Sequence, residues 1–278
     1  MSGTLVLVPT PIGNLGDISP RAAEALETAD FIAAEDTRVS IKLLNHLGLK
    51  KQLVSYHEHN KAESGPHILA RLLSGETCAL VTDAGTPAIS DPGEDLVRLC
   101  RENGVPVTAI PGPCAAITAL AISGLPTGRF TFEGFLSVNK RSRQEHLQSL
   151  LEETRTMIFY EAPHKLTGTL EDMQSAFGAD RPICLCRELT KLHEEAVKTT
   201  LGEALRYYQD NAPRGEYVLI LGGAAPKAAA VPTMEDCLQQ VSVLRQQGLS
   251  LKDAVKQVSR ASGIARNRLY DAALGAQD

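Results

Sequence analysis

Short apolar runs alternate with amphipathic stretches along the first half of the chain. Residues 5–8, 78–81 and 105–110 have the length and bulk of buried β-strands. Each run precedes a loop rich in proline and glycine and then a stretch with helical periodicity. This order is typical of a mostly parallel sheet with helical crossovers, and it predicts an α/β domain over residues 1–126.

The second half of the chain continues this alternation and then changes in composition. Several strand-like runs within residues 127–222 predict a second αβ domain. Residues 223–233 are rich in glycine, alanine and proline, which is typical of a linker. Residues 234–278 have the periodicity of amphipathic helices, with a turn at Gly263. This is the outline of a helix-turn-helix, and a terminal helical hairpin that packs on its own chain would share it.

Three proline- and glycine-rich loops follow the strands of the first domain. They occupy residues 9–18, 82–92 and 111–116. Ligands bind at the carboxyl ends of the strands in open α/β sheets, so we expect these loops to meet at one site. Neither the G-x-G-x-x-G dinucleotide fingerprint nor the G-x-x-x-x-G-K-[S/T] phosphate loop can be placed on the chain. This argues against a nicotinamide enzyme and against a nucleoside triphosphatase.

The amino-acid sequences of these loops resemble those of a known family. The loops Gly13-Asn14-Leu15-Gly16-Asp17-Ile18, Asp83-Ala84-Gly85-Thr86-Pro87 and Pro111-Gly112-Pro113-Cys114-Ala115, in this order, resemble the tetrapyrrole-methylase superfamily of S-adenosylmethionine enzymes. Residues 8–15, 33–38, 57–60 and 187–191 are similar to a branch that methylates the 2′-hydroxyl of a cytidine in the decoding region of 16S ribosomal RNA. The resemblance extends from residue 4 to about residue 274.

The resemblance implies an architecture, a cofactor and partners. It implies two αβ domains of the tetrapyrrole-methylase type with a donor cleft between them, followed by a small C-terminal helical module with a helix-turn-helix-like outline. S-adenosyl-L-methionine would be the methyl donor, and no metal would be needed. The partner would be 16S ribosomal RNA or the small ribosomal subunit. The superfamily also implies a homodimer.

The resemblance places the donor between two sets of residues. One wall would consist of Pro11, Gly13, Asp83, Ala84, Gly85, Thr86, Pro87, Ile89, Cys114 and Ala115, and the other of Tyr160, Glu161, Leu189, Gly215, Glu216 and Tyr217. Asp83 could contact the ligand or stabilise its own loop. Asp91 precedes a proline that suits a helix start, and this favours a role as a helix cap.

A further set of residues are candidates for the acceptor pocket, the part of the site that would hold the nucleotide to be methylated. Glu35, Asp36 and Arg38 follow an apolar run and could face the cleft, although Asp36 and Arg38 could instead pair with each other in a turn. His57 and His59 are candidates because histidine as a residue type suits proton removal near neutrality, but solvated loop histidines would look the same. The sequence therefore assigns no general base.

The overall charge is acidic, which is unusual for a protein that binds RNA. The net charge is −5 and the isoelectric point is near 5.8. RNA binding depends on the local position of positive charge, and two clusters meet this need. Lys140, Arg141 and Arg143 are expected in a mobile loop over the cleft, although an ordinary solvated loop would share this run of charges. Arg266 and Arg268 are expected at a helix start. Aromatic residues make up only 4% of the chain, which favours recognition of a folded RNA by shape and charge.

Other features narrow the class of protein. The six cysteines are scattered among apolar neighbours, so we expect buried thiols. No third ligand accompanies His57 and His59, so we expect no metal site. No apolar run is long enough for a membrane span and no basic, apolar leader follows Met1, so we expect a cytoplasmic protein without membrane association.

Two rival functions fit parts of the pattern. A methyltransferase of a tetrapyrrole or of a modified protein residue would share the donor cleft, but it would not need the helical module or the basic residues near position 140. A nucleic-acid-binding module on a degenerate enzyme core would keep the helical module, but its cleft would not bind S-adenosylmethionine. Donor binding therefore separates the second rival from the enzyme.

Overall fold

The chain divides into two compact units. A computed structural model describes residues 2–225 and 232–275, and the division falls between Ala224 and Ala225. Residues 226–231 of the predicted linker and residues 276–278 of the predicted helical module lie outside the described residues. Within the described parts of the chain, no helix is both long and apolar enough to cross a membrane.

The first half of the larger unit forms a parallel sheet covered on both faces. In chain order its elements are β1 (Leu5–Leu7), α1 (Pro20–Thr28), β2 (Phe31–Ala34), α2 (Thr37–His46), β3 (Leu53–Ser55), α3 (Lys61–Leu73), β4 (Cys78–Val81), α4 (Gly93–Glu102), β5 (Val107–Ala109) and α5 (Ala115–Ile122). The strand order is β3-β2-β4-β1-β5. Successive side chains of a strand point to opposite faces, so Phe31 and Ile32 enter separate hydrophobic cores. This double burial explains why the inner strands β2 and β4 are apolar throughout.

The second half of this unit forms a mixed sheet. Its elements are β6 (Phe130–Phe135), α6 (Lys140–Ser149), β7 (Thr156–Glu161), α7 (Leu166–Phe177), β8 (Pro182–Arg187), β9 (Glu195–Thr200), α8 (Leu201–Asp210) and β10 (Tyr217–Leu221). The strand order is β6-β7-β10-β8-β9, with only β6 and β7 parallel. One face packs on α7 and α8. The other face receives Ala116, Ala119 and Leu120 of α5, so a helix that follows the first sheet packs against the second.

The described part of the smaller unit is a module of three helices. It contains α9 (Met234–Gln246), α10 (Leu251–Ser262) and α11 (Arg266–Gly275). Cys237, Val255 and Leu269, one from each helix, lie in its common core. Gly263 ends α10 with a φ of 74°, a left-handed conformation that glycine adopts without strain. This turn and the two helices around it have the predicted helix-turn-helix outline.

Candidate active site

A pocket of about 560 Å³ lies where the two sheets meet. From the first sheet it is lined by Ile12, Glu35, Cys114, Ala115 and most of the loop after β4: Thr82, Asp83, Ala84, Gly85, Thr86, Ile89, Ser90 and Asp91. From the second sheet it is lined by Phe135, Tyr160, Glu161, Ala162, Pro163, His164, Leu189, Glu216, Tyr217 and Val218. The pocket thus has one wall from each sheet.

Most of the predicted donor residues line this pocket, and four do not. Pro11, Gly13, Pro87 and Gly215 belong to the same loops but are absent from the lining. Sequence reasoning missed several lining residues, among them Phe135 and the segment from Ala162 to His164. A signal for them existed, since Phe135 is the last residue of β6 and residues 162–164 directly follow β7, just as the predicted loops follow strands of the first sheet.

Hydrogen bonds hold the loops of the first wall together. Gly85 and Thr10 exchange two backbone hydrogen bonds, with N···O distances of 2.9 and 3.0 Å. The hydroxyl of Thr86 donates to the carbonyl of Pro113 at 2.8 Å, which connects the second loop to the third. Gly85 has a φ of 87°, a conformation that side chains strain. The first wall is therefore preformed by its own backbone.

Asp91 closes the loop that precedes α4. Its carboxylate accepts the amide hydrogens of Ala88 and Gly93, both at about 2.9 Å. The predicted capping role needs one correction, because α4 begins at Gly93 with Pro92 as its N-cap, so Asp91 lies one position earlier. Ala88 has a φ of 66°, unusual for a residue with a Cβ, and the bond to Asp91 helps to hold it there.

Carboxylates cluster on the first wall. Glu35 accepts a hydrogen bond from the hydroxyl of Thr82 at 2.6 Å, and Asp83 accepts one from the amide of Asp36 at 3.0 Å. Burial raises the pKa of Asp83, and the negative charge of Glu35 raises it further. Burial also raises the pKa of Asp91. This acidic side of the pocket favours a ligand that carries positive charge.

The second wall combines an aromatic surface with a buried carboxylate. The ring of Tyr160 packs edge-on against Phe132 and Phe135, and its hydroxyl accepts the amide hydrogen of Ala116 at 3.2 Å. Burial raises the pKa of Tyr160 to about 12, so the phenol stays neutral. Glu161 is only 4% exposed. Its carboxylate accepts hydrogen bonds from its neighbouring amide at 2.8 Å and from the hydroxyl of Thr169 at 2.5 Å.

A strained segment after β8 presents Leu189 to the pocket. Glu188 and Thr190, on either side of Leu189, have φ values of 50° and 66°, which non-glycine residues rarely adopt. The carboxylate of Glu188 holds the segment, because it accepts from the amide of Glu216 at 3.1 Å and from Nζ of Lys191 at 3.0 Å. A backbone strained in this way persists only where surrounding contacts hold it in place.

Two glycines make room for this segment although they do not line the pocket. A Cβ at Gly215 would lie 2.6 Å from Cγ of Glu188, and a Cβ at Gly13 would lie 2.5 Å from Cγ of Lys191. The loop after β1 and the segment after β8 therefore touch across the cleft. The sequence prediction included both glycines, and the structure gives them a spacing role.

The acceptor candidates separate into one residue that lines the pocket and four that do not. Glu35 lines it, whereas Asp36 caps α2 and pairs with Arg38 at 2.6 Å. The side chain of Arg38 is 87% exposed. His57 and His59 follow β3, outside the lining, with ring centroids 6.0 Å apart. Within residues 2–225 and 232–275, no group of three histidine, cysteine or acidic side chains could hold a metal ion.

The basic candidates near position 140 need a correction. The predicted mobile loop is wrong, because Lys140 begins α6, and Asn139 caps this helix by accepting the amide hydrogen of Ser142. Arg143 is not a free cation, since it pairs with Asp172 at 2.7 Å and its side chain is only 18% exposed. Arg141 pairs with Glu145 one turn further along.

Comparisons with known proteins identify the class of this fold. The family model of the tetrapyrrole (corrin/porphyrin) methylases matches residues 4–205. Crystal structures of uroporphyrin-III-C-methyltransferase from Thermus thermophilus and of diphthine synthase share the fold, with TM-scores of 0.56 and 0.59 at 20% and 15% identity. They cover 78% and 79% of this chain, and the matches span 94% and 90% of theirs. The chain belongs to the tetrapyrrole methylase family.

Closer relatives match nearly the whole chain. Proteins named ribosomal RNA small subunit methyltransferase I, from Synechocystis sp. and Escherichia coli O157:H7, are 47% and 44% identical to it. The matches cover 98% and 99% of this chain and 98% and 96% of theirs. A family model described as the RsmI C-terminal HTH domain matches residues 234–277. The predicted family resemblance and fold class are confirmed.

Proposed function

We propose that this protein transfers a methyl group from S-adenosylmethionine to the 2′-hydroxyl of a cytidine in the decoding region of 16S ribosomal RNA. The observation that carries the proposal is a preformed two-walled pocket in a chain that matches small-subunit methyltransferases over nearly its full length. Tetrapyrrole methylases and ribosomal RNA methyltransferases use this donor. The partner is then 16S ribosomal RNA or the small subunit, in the cytoplasm.

The pocket suits the chemistry of this donor. Its volume of about 560 Å³ lies within the range of small-molecule sites. S-adenosylmethionine supplies an electrophilic methyl group on a positively charged sulfur. The carboxylates of Glu35, Asp83 and Asp91 line the same pocket and favour a cationic ligand. Small residues at Ala84, Gly85 and Ala115 would allow its backbone-like portions to approach closely.

The chain contributes mainly position to the reaction. In-line displacement requires the acceptor oxygen about 3 Å from the methyl carbon, and holding the two in place supplies much of the acceleration. We place the acceptor near Glu35, the one acceptor candidate that lines the pocket. Leu189 and Tyr160, held by the bonds described above, would form the fixed apolar surface that excludes water.

Oligomerisation and RNA binding complete the proposal. We place Arg266 and Arg268, both exposed at the start of α11, against RNA.

We expect a homodimer, because the apolar side chains of Ile117 and Ile122 on α5 and of Val197 on the edge strand β9 are more than a third exposed. Light scattering at micromolar concentration should give about twice 29.8 kDa, and a monomeric mass would contradict the dimer.

Methyl transfer to defined substrates tests the proposal. The purified chain is incubated with labelled S-adenosylmethionine and, in parallel, with naked 16S RNA, with small subunits or with a uroporphyrinogen-type tetrapyrrole. Label should enter the RNA or the subunits, and primer extension at limiting deoxynucleotide should stop at one decoding-region cytidine. Label in the tetrapyrrole alone would favour the rival enzyme. Donor binding without label in any substrate would remove the proposal.

A further inference from the structure

The helical module concentrates positive charge along one stretch. Residues 232–275 carry six basic and four acidic side chains in a chain whose net charge is −5. Five of the six basic residues lie within residues 252–268, where Asp253 is the one acidic residue. Arg266 and Arg268 account for two of the five. The other three lie on α10, and the function proposed above gives them no role.

These three residues form a stripe on α10. Lys252, Lys256 and Arg260 are spaced four residues apart, so they lie on the same side of the helix. All three are exposed. The buried positions of α10 are Ala254, Val255 and Val258, which pack in the core of the module. Fold stability therefore accounts for one side of the helix and leaves the basic stripe without a structural role.

No acidic side chain neutralises the stripe within the part of the chain that the structure describes. None of the ion pairs found there includes Lys252, Lys256 or Arg260. The nearby carboxylate of Asp253 accepts a hydrogen bond from the hydroxyl of Ser250 at 2.5 Å, at the start of α10. Lys256 and Arg260 also border a shallow hollow of about 440 Å³, where Asp253 is the one acidic lining residue beside the two cations. The charges are thus free to meet an anionic partner.

The chemistry of the module favours nucleic-acid phosphate over other anionic partners. A membrane-binding helix needs an apolar face to insert, and the apolar face of α10 is already buried. Tyr270 is the one aromatic residue between residues 232 and 275, and it packs against the core of the module. Stacking on unpaired bases needs exposed aromatic rings, so this surface is suited to the backbone of folded RNA.

We propose that Lys252, Lys256 and Arg260 bind the sugar–phosphate backbone of a duplex segment of RNA without reading its bases. The stripe acts together with Arg266 and Arg268 and anchors the module, while selection of the methylated nucleotide is left to the catalytic unit. This inference rests on the proposed function, because it takes RNA as the substrate. Its direct consequence is binding that depends strongly on salt and little on sequence.

The test measures RNA affinity of the full-length chain at several salt concentrations. The stripe variant carries Lys252→Gln, Lys256→Gln and Arg260→Gln. The control is Arg245→Gln, a charge loss in the same module but on α9. Fluorescence anisotropy follows a labelled RNA hairpin and a second hairpin of scrambled sequence. Unchanged helical circular dichroism shows that the module of both variants is folded, and unchanged affinity for S-adenosylmethionine shows that the first unit is intact.

The expected result is a smaller salt dependence for the stripe variant alone. Each lost phosphate contact should lower the slope of log affinity against log salt by roughly one unit, so the stripe variant should lose about two to three units, equally for both hairpins. An unchanged slope would overturn the inference, as would an equal loss in the control. A loss confined to one hairpin would show base reading instead. Binding of a labelled polyglutamate peptide in place of the hairpins would assign the surface to an acidic protein.

A failure of the stripe inference can be told apart from a failure of the proposed function. If the wild-type chain methylates small-subunit RNA while the stripe variant keeps its full salt dependence, only the stripe inference fails. If the wild-type chain binds the hairpins but methylates no RNA, the proposed function fails.

Discussion

The contact between Gly13 and Lys191 can be tested by one added methyl group. Gly13 is not among the residues with positive φ, so alanine is compatible with its backbone and the effect of Gly13→Ala is steric. The new Cβ would lie 2.5 Å from Cγ of Lys191 and 2.9 Å from Oγ1 of Thr190. Ordinary carbon contacts are about 3.5–4.0 Å, so Lys191 must retreat by about 1 Å. Its ion pairs with Glu188 and Glu216, at 3.0 and 3.1 Å, would then weaken.

The expected cost follows from the overlap. Overpacking of this size costs about 1–3 kcal/mol, and partly exposed ion pairs add about 0–1 kcal/mol. We expect a loss of about 2 kcal/mol, which lowers Tm by about 4–8 °C for a unit of this size. Displacement of Leu189 should weaken donor binding by about tenfold, measured by calorimetry.

A matched control and two outcomes decide the interpretation. Gly128→Ala adds the same methyl group where nothing lies within 4 Å, and it should leave Tm and donor affinity unchanged. A normal Tm for Gly13→Ala would refute the steric reasoning. A lowered Tm with normal donor affinity would show that the strained segment supports the fold and does not shape the donor site.

Three further predictions concern the carboxylates and the helical module. Thr169→Val removes a hydrogen bond to the buried Glu161, so urea unfolding should show a loss of about 1–3 kcal/mol, together with weaker donor binding. The Asp83→Asn variant should be more stable than the wild-type chain at neutral pH. The raised pKa of Asp83 makes the wild-type chain gain stability as pH falls through that pKa, and thermal melts of the variant should lack this gain. Truncation after Ala224 should leave donor affinity unchanged in calorimetry while RNA affinity falls, since the pocket belongs wholly to the first unit.

The first wall of the site could be predicted because its signals are local in sequence. Strand, proline- and glycine-rich loop and helix follow one another within about twenty residues, and parallel strands place such loops at one edge. Gly85 illustrates the point, since its left-handed backbone is a property of the loop itself. The individual roles of the predicted donor residues stay predictions.

The second wall and the basic candidates depended on contacts that local patterns do not contain. Gly13 meets Lys191 across the cleft, and Arg143 pairs with Asp172 on a neighbouring helix. Charged and polar residues dominate α6 and leave it little apolar periodicity, so its sequence predicts a loop where the structure has a helix. Such pairings are set by the packing order of the two sheets, which the sequence pattern alone does not determine.

The distribution of charge explains how an acidic chain can act on RNA. The acidic residues Glu35, Asp83 and Asp91 line the pocket, where they favour a cationic donor and would repel phosphates. The basic stripe and Arg266 and Arg268 belong to the other unit. Because carboxylates line the pocket, the RNA affinity that we propose would have to come from elsewhere on the protein. With the acidic and basic groups in separate units, the net charge of the whole chain is a poor guide to RNA binding.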